Sequence, residues 1–377
     1  DAGEWNTDAL GPTKTLFADT LLHRLKNKFS PGGFLHHGQG KWYPGESLPR
    51  WAFSCYWRKD LVPIWSDSDL FARESTTYNF TEADASKFLI ELARRLNLSS
   101  DFVRPAFEDS WYFMWKEQSL PTNISTIINK LDNPEVMYRI SKIFKQGLGK
   151  VVGYVLPLKF DSQSNKSHWI SCKWDLRREN IFLIPGDSPM GYRLPLDSIT
   201  WLDSKERDPI FSMCPLTPVD LLPKIQSKFN TNSLVGIFNP DQKVSSTGSP
   251  IRTSLCVEIR NGTIKLFLPP LDSIVEYLEL LKNIEATARF LGYPIQIEGY
   301  PPPYDPRLLN FKLTPDPGVI EVNIHPSASW KDLQDKTFIL HEEAKKTKLC
   351  SEKFMLDGRH TGTGGGSHIV LGGPTPS

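Results

Sequence analysis

The sequence has almost no net charge, with 44 Lys and Arg set against 43 Asp and Glu in 377 residues. That balance argues against nucleic acid or an anionic membrane surface as the main partner. Long apolar runs are missing as well. No stretch approaches the ~18 residues that a membrane-spanning helix needs. Val151 to Leu158 is among the longest, and it is too short and holds a proline. Cysteine is scarce and scattered: Cys55, Cys172, Cys214, Cys256 and Cys350 form no C-x-x-C pair and are odd in number. Such a set reads as free, mostly buried thiols in a reducing cytosol, so a cytoplasmic location is expected. The patterns G-x-x-x-x-G-K-[ST], G-x-S-x-G and H-E-x-x-H are absent, so this is not a P-loop enzyme and carries neither hydrolase signature. No basic and apolar leader is visible at Asp1-Ala2-Gly3-Glu4. The chain lacks an initiator Met and closes on Gly-Gly-Pro-Thr-Pro-Ser, so both ends read as cut and a piece of a longer protein is expected.

What is abundant is aromatic and proline weight: Trp 11, Phe 21 and Pro 30. Ten of the eleven tryptophans precede residue 202. The length allows two or three domains. The composition shift divides the chain into an aromatic-rich mixed α/β region, 1–245, and a second domain, 246–377, with the boundary at Asp241 to Pro250. The fold class is α/β (α+β).

Periodicity predicts helices over Thr13 to Phe29, Thr81 to Leu98, Pro134 to Lys145, Leu271 to Leu291 and Trp330 to Thr347. Thr81 and Asp84 form a capping box for the second. On the last, Glu342 and Glu343 read as surface residues. Phe34 to Glu46, Pro49-Arg50-Trp51 and Tyr56 to Asp60 read as irregular backbone loaded with aromatic and polar groups. The His36-His37 pair is a poor metal signal, because adjacent residues seldom point the same way. Arg252 to Arg260 and Thr263 to Leu268, joined by Asn261-Gly262, read as a hairpin. Cys256, Glu258 and Arg260 then share one face. Pro294 to Gly299 reads as a strand carrying Glu298. Asp316-Pro317-Gly318 reads as a turn into a strand on which alternation puts Glu321, Asn323 and His325 on one face.

The densest chemistry lies near the end, in Asp357-Gly358-Arg359-His360-Thr361-Gly362-Thr363-Gly364-Gly365-Gly366-Ser367-His368. Successive backbone N–H groups in such a loop can form a nest for phosphate oxygens, and Arg359 can add a bidentate fork. His368 opens the run Ile369-Val370-Leu371, which reads as a buried strand. The loop matches part of G-x-G-x-x-G but precedes a strand, so it is not a dinucleotide fingerprint. Glu258, Glu298, Glu321, Asn323 and His325 come from strands that could be neighbours. Hard oxygen ligands suit Mg²⁺ or Mn²⁺, and Mg²⁺ usually bridges substrate phosphates. The combination fits phosphoryl transfer from ATP.

Asp316-Pro317-Gly318-Val319-Ile320-Glu321-Val322-Asn323-Ile324-His325-Pro326 and Phe354-Met355-Leu356-Asp357-Gly358-Arg359-His360 through His368 resemble an amidoligase family of large bacterial proteins. The likeness extends to Glu4-Trp5-Asn6, Gly38 to Glu46, Trp57-Arg58-Lys59-Asp60 and Pro185 to Pro189, and so covers nearly the whole chain. It implies a glutamine synthetase-like carboxylate–amine ligase fold, built on an antiparallel sheet and cut short at the C-terminus, and a transglutaminase-like domain upstream. Pro317-Gly318-Val319-Ile320-Glu321 resembles the metal-binding Pro-Gly-Gln-x-Glu strand of glutamine synthetases. Gly362 to His368 resembles their Gly-Ser-Gly-Met-His loop at nucleotide and metal. Glu258 matches their early metal carboxylate, whereas the glutamate that usually precedes Pro-Gly-Gln-x-Glu has no clear counterpart. The later Arg and Glu motifs of such ligases would lie beyond Ser377.

The resulting expectation is an ATP- and Mg²⁺-dependent amidoligase that joins a carboxylate to an amine through an acyl phosphate, with a peptide or amino-acid-like substrate. Glu258, Glu298, Glu321, Asn323, His325 and His368 would hold metal. Arg359, Thr361, Gly362, Thr363, Gly364, Gly365, Gly366, Ser367 and His368 would hold the nucleotide, and Glu321 and Arg359 are the catalytic candidates. Two other readings stay open. One is a non-catalytic peptide-binding module serving the neighbouring domain, and the other is a metal hydrolase using His325, His360 and His368.

Overall fold

The computed structural model of the chain describes residues 3–118, 134–147, 149–162, 168–176, 178–199, 220–223, 251–355, 357–363, 366 and 368–372. The expected domain boundary, Asp241 to Pro250, lies outside the described residues, as do Cys214, Leu356, Gly364, Gly365 and Ser367. In chain order the elements are α1 (Pro12–Phe29), β1 (Phe34–Gln39), β2 (Trp51–Arg58), α2 (Glu82–Arg95), β3 (Arg104–Glu108), α3 (Ser110–Gln118), α4 (Pro134–Gln146), β4 (Val151–Pro157), β5 (Lys159–Asp161), β6 (His168–Ile170) and β7 (Ile181–Leu183). There follow β8 (Ser254–Arg260), β9 (Thr263–Leu268), α5 (Ile274–Leu291), β10 (Ile295–Gly299), β11 (Leu308–Asp316), β12 (Val319–Asn323), α6 (Trp330–Lys346), β13 (Lys353–Phe354) and β14 (His360–Thr361). The mixed α/β class is as expected, and none of the described helices is long and apolar enough to cross a membrane.

Contacts divide the chain into two compact units. One gathers residues 1–79, 209–230 and 270–377; the other gathers 80–208 and 231–269. The first unit is built on an antiparallel sheet in the order β1-β2-β11-β12. Its two central strands come from opposite ends of the sequence, with Phe53 opposite Leu313 and Cys55 opposite Phe311. α1 packs on the face that carries Phe53, Cys55, Trp57, Phe311 and Leu313, and α6 packs on α1. β10 lies alongside β1.

Two sequence expectations fail here for physical reasons. Phe34 to Glu46, Pro49-Arg50-Trp51 and Tyr56 to Asp60 are not irregular throughout: β1 lies in the first and β2 runs from the second into the third, paired from Phe34↔Tyr56 to Gln39↔Trp51. Almost every residue of β2 is buried, so both of its faces lie against protein and the two-residue alternation that announces a strand is muted. Glu343 is also not a surface residue. It is 2% exposed, and Arg24 from α1 meets it at 2.8 Å, joined by Lys346 at 2.8 Å and Lys28 at 3.8 Å. These cations hold its pKa below the usual carboxylate range, with the Lys346 hydrogen bond contributing most. Glu342, its neighbour, is exposed.

The second unit holds a sheet in which β9, β8, β4 and β3 pair antiparallel in that order, and β7 joins β3 in parallel. Asn261 and Gly262 both take positive φ, 52° and 73°, as a tight hairpin between twisted strands demands. α2 packs on β4 and β8 with Phe88, Leu89 and Leu92 fully buried. The other face is filled by Val155, Cys256, Phe267, Trp174 and Met190. The capping box is present: the Thr81 N–H and hydroxyl both donate to Asp84 Oδ2 at 2.9 Å.

Candidate functional site

The turn between β11 and β12, Asp316-Pro317-Gly318, is where separate parts of the first unit meet. Gly318 has φ +76°, the left-handed region that a side chain resists. A Cβ there would also lie 3.3 Å from the Thr363 carbonyl oxygen and 3.4 Å from that of Trp5. Thr363 and the N-terminal Trp5-Asn6 backbone therefore both lie against this turn. Lys353, at the start of β13, ties them together by donating to the Trp5 carbonyl at 3.2 Å and to Asn6 Oδ1 at 2.7 Å.

Two cations clamp the turn. Lys14, on the first turn of α1, is wholly buried, and its ammonium donates to the carbonyls of Asp8 at 3.1 Å, Ala9 at 3.0 Å and Asp316 at 2.9 Å. Burial pulls its pKa down, while the nearby Glu4 and Asp316 charges push back. Arg50, just before β2, pairs with the Asp316 carboxylate and with Glu46 at 2.7 Å, and donates to the Pro315 carbonyl at 3.3 Å. The Tyr43 ring stacks 4.1 Å from its guanidinium carbon. Neither cation was singled out from the sequence. A lysine or arginine beside aromatic and proline residues carries no local signal that its partner lies some 300 or 266 positions away.

β12 then runs from this turn with Glu321 and Asn323 on its exposed face. Glu321 stands opposite Thr314, whose hydroxyl donates to it at 3.4 Å, and Asn323 stands opposite Lys312. His325 does not join them. The strand ends at Asn323, the alternation ends with it, and the His325 ring packs instead against Trp57 (centroids 4.8 Å) and Phe29 (5.2 Å) on the α1 side. Burial lowers its pKa to about 4. Glu298 is buried on β10. Glu258 lies in the second unit, where its carboxylate accepts the Met190 N–H at 2.9 Å and sits 3.3 Å from Arg260.

β13 and β14 form a small hairpin, with Phe354 opposite His360 and their rings edge to face at 5.1 Å. Arg359 and Asp357 are exposed and paired, Nε to Oδ2 at 2.7 Å. Thr361 ends β14, Gly362 and Thr363 follow it, and His368 is exposed. The expected buried strand after His368 is not formed: Ile369, Val370 and Leu371 are 64, 91 and 91% exposed and belong to no strand. The apolar run has no sheet edge to join among the described residues, so hydrophobicity alone does not make it a strand.

Chemically, the face beside the turn offers one carboxylate and one amide oxygen on a rigid strand. Mg²⁺ is commonly held by one or two carboxylates together with waters and substrate phosphates, and Glu321 with Asn323 fits that donor set. No three His, Cys, Asp or Glu among the described residues converge as a protein-only metal cage, and His360 and His325 face different surroundings, which leaves the hydrolase reading without support.

An α+β unit with a polar sheet face, and with Thr363 against its β11–β12 turn, is the class that the fold and site define. Across residues 1–377 the chain matches the family model described as "Putative amidoligase enzyme (DUF2126)". The chain belongs to that family. Among curated proteins and among solved structures, nothing matches it.

Proposed function

We propose that this chain carries the nucleotide and metal face of an ATP- and Mg²⁺-dependent carboxylate–amine ligase. The observation that supports the reading most is the contact of the glycine-rich stretch, through Thr363, with Gly318, the residue from which the Glu321 strand departs. A loop suited to phosphate and a carboxylate suited to Mg²⁺ thus share one end of one sheet. Glu321 and Asn323 would hold the ion, and Arg359, Thr361, Gly362, Thr363, Gly366 and His368 would surround the phosphates. ATP supplies a transferable phosphoryl group, and the ion neutralises its charge. An oxygen of the acid's carboxylate attacks the γ-phosphorus, and the bond to the β-phosphate oxygen breaks, with ADP taking the electron pair. The amine nitrogen then attacks the acyl carbon, a C–N bond forms, the C–O bond to phosphate breaks, and the amine proton passes to solvent. Arg359 would trade its exposed Asp357 partner for a phosphate, a substitution that costs little because exposed pairs are worth under about 1 kcal/mol.

The test is calorimetric titration of the chain with Mg–ATP. Binding that weakens about tenfold or more in both Glu321→Ala and Arg359→Ala supports the proposal. No binding, or affinity unchanged from the parent in both variants, refutes it. The peptide-binding reading has one observation in its favour, the exposure of Trp111, Met114 and Trp115 on one side of α3. It predicts peptide binding without ATP, lost in Trp111→Ala.

A further inference from the structure

The same sheet face carries a second polar feature beyond the proposed nucleotide site. One cross-strand row runs through all four strands: His36 on β1 opposite Ser54 on β2, Ser54 opposite Lys312 on β11, and Lys312 opposite Asn323 on β12. Opposed residues share a face, so these four side chains form a polar strip across a sheet whose reverse side is apolar. The strip grades from inside to outside. His36 and Ser54 are each 2% exposed, Lys312 is half-buried, and Asn323 is exposed.

The strip contains positive charge and hydrogen-bonding capacity that the described residues do not use. His36 Nε2 is buried with no hydrogen-bond partner. Its ring fits only because residue 38 is glycine, where a Cβ would fall 2.6 Å from His36 Cε1. Burial first, then the His37 charge, and more weakly the Lys312 charge, hold His36 neutral, with a pKa of about 3, against the pull of a backbone hydrogen bond at Gly299. The Ser54 hydroxyl bonds with Tyr56. No ion pair or hydrogen bond joins the Lys312 ammonium to another described side chain. Asp316, four residues and about 13 Å along β11 on the same face, is taken by Arg50 and does not serve it. A solvated lysine on a sheet face normally extends its head to water; this one stands half-buried in a row with Ser54 and the buried His36.

Position separates this site from the phosphate loop. At ~3.3 Å per residue, Glu321 lies about 10 Å along the strand from Gly318, and Asn323 with its partner Lys312 about 17 Å. The order along the face is glycine-rich loop, proposed metal carboxylate, then lysine. In-line attack puts the acid on the side of the γ-phosphorus opposite the departing ADP, where its negative charge needs a partner other than the phosphate loop.

We propose that Lys312 anchors a carboxylate of the acid substrate on this face, flanked by Asn323 and by the buried His36–Ser54 pair. The proposal rests on the ligase reading above, and its test is chosen so that the two fail separately. Lysines of the full chain are ¹³C-methylated, and the Lys312 resonance is assigned by its loss in Lys312→Arg. The protein is then titrated with acetate, with glutarate and with chloride at matched ionic strength, and separately with Mg–ATP. The expected result is a saturable shift of the Lys312 signal with both acids and none with chloride. Ser54→Ala should weaken the glutarate response about threefold or more, and Lys312→Met should leave Mg–ATP affinity within about twofold of the parent. A Lys312 signal that responds to the acids no more than to chloride overturns the proposal. So does a signal that responds to Mg–ATP alone, which would make Lys312 a phosphate ligand. Absence of Mg–ATP binding in the parent chain would instead sink the ligase reading, while the acid titration still decides whether Lys312 is a carboxylate site.

Discussion

Replacing Lys14 with methionine isolates the clamp beneath the Asp316-Pro317-Gly318 turn. The ammonium is wholly buried and satisfies three carbonyl oxygens, those of Asp8, Ala9 and Asp316, at 3.1, 3.0 and 2.9 Å. Methionine has nearly the same length and shape, so packing is kept while all three acceptors lose their donor. Each buried orphaned acceptor costs about 1–3 kcal/mol. Against this stands the relief of no longer burying a charge, which the lowered pKa of Lys14 shows to be a real penalty. The net expectation is a loss of about 3–5 kcal/mol, three orphaned acceptors at the lower part of the per-acceptor range less the recovered burial penalty. With a urea m-value of about 2 kcal/mol/M, the midpoint should fall by about 2 M. The first unit should open first, so hydrogen exchange at the β12 amides is the local readout, alongside the urea midpoint. Because the Asp316 carbonyl is one of the three, Mg–ATP affinity should fall too. A loss below about 1 kcal/mol, with β12 exchange unchanged, would refute the reasoning: it would mean that water reaches these carbonyls or that the turn holds without the lysine.

Two further outcomes follow from the same contacts. Gly318→Ala should destabilise by about 1–2 kcal/mol, because a left-handed φ strains an alanine and its methyl would press on the Thr363 carbonyl; differential scanning calorimetry measures the loss, and Mg–ATP affinity should drop with it. Burial sets His23 at about 4, His36 at about 3 and His325 at about 4, all below the ~6.5 of an unfolded chain. The folded state therefore binds fewer protons between those values, so stability is full above about pH 6.5 and declines as the pH falls toward 4, by up to about 1.4 kcal/mol per pH unit for each histidine. Urea midpoints measured from pH 7.5 to 4.5 should show that decline, and a flat profile would contradict it.

Much of the secondary structure was legible because it rests on local physics. α1, α2, α5 and α6 show helical spacing of apolar residues, Thr81 and Asp84 announce a start, and Gly292 closes α5 with its φ of +68°. The β8–β9 hairpin is written in Asn261-Gly262. The Glu321–Asn323 face was legible by alternation, and His325 was misplaced by the same rule, since alternation holds only while the strand lasts. β1 and β2 were not legible because the partners that bury them are far away in sequence. The run Ile369-Val370-Leu371 shows the converse: apolar character without a partner edge is not a strand.

The sequence by itself determined the class, the motifs and the family, because those depend on residue types at short spacing. It singled out Glu321, Asn323 and the glycine-rich loop as chemistry-bearing. Only the tertiary structure decided which of these meet. Antiparallel pairing of β2 with β11 joins segments some 250 residues apart and lays His36, Ser54, Lys312 and Asn323 in one row. Lys14 and Arg50 became clamps because the chain folds Asp316 onto them. The physical reason is that a side chain's role is set by what its charge and hydrogen bonds find when water is excluded, and that partner is chosen by the fold, at any distance along the chain.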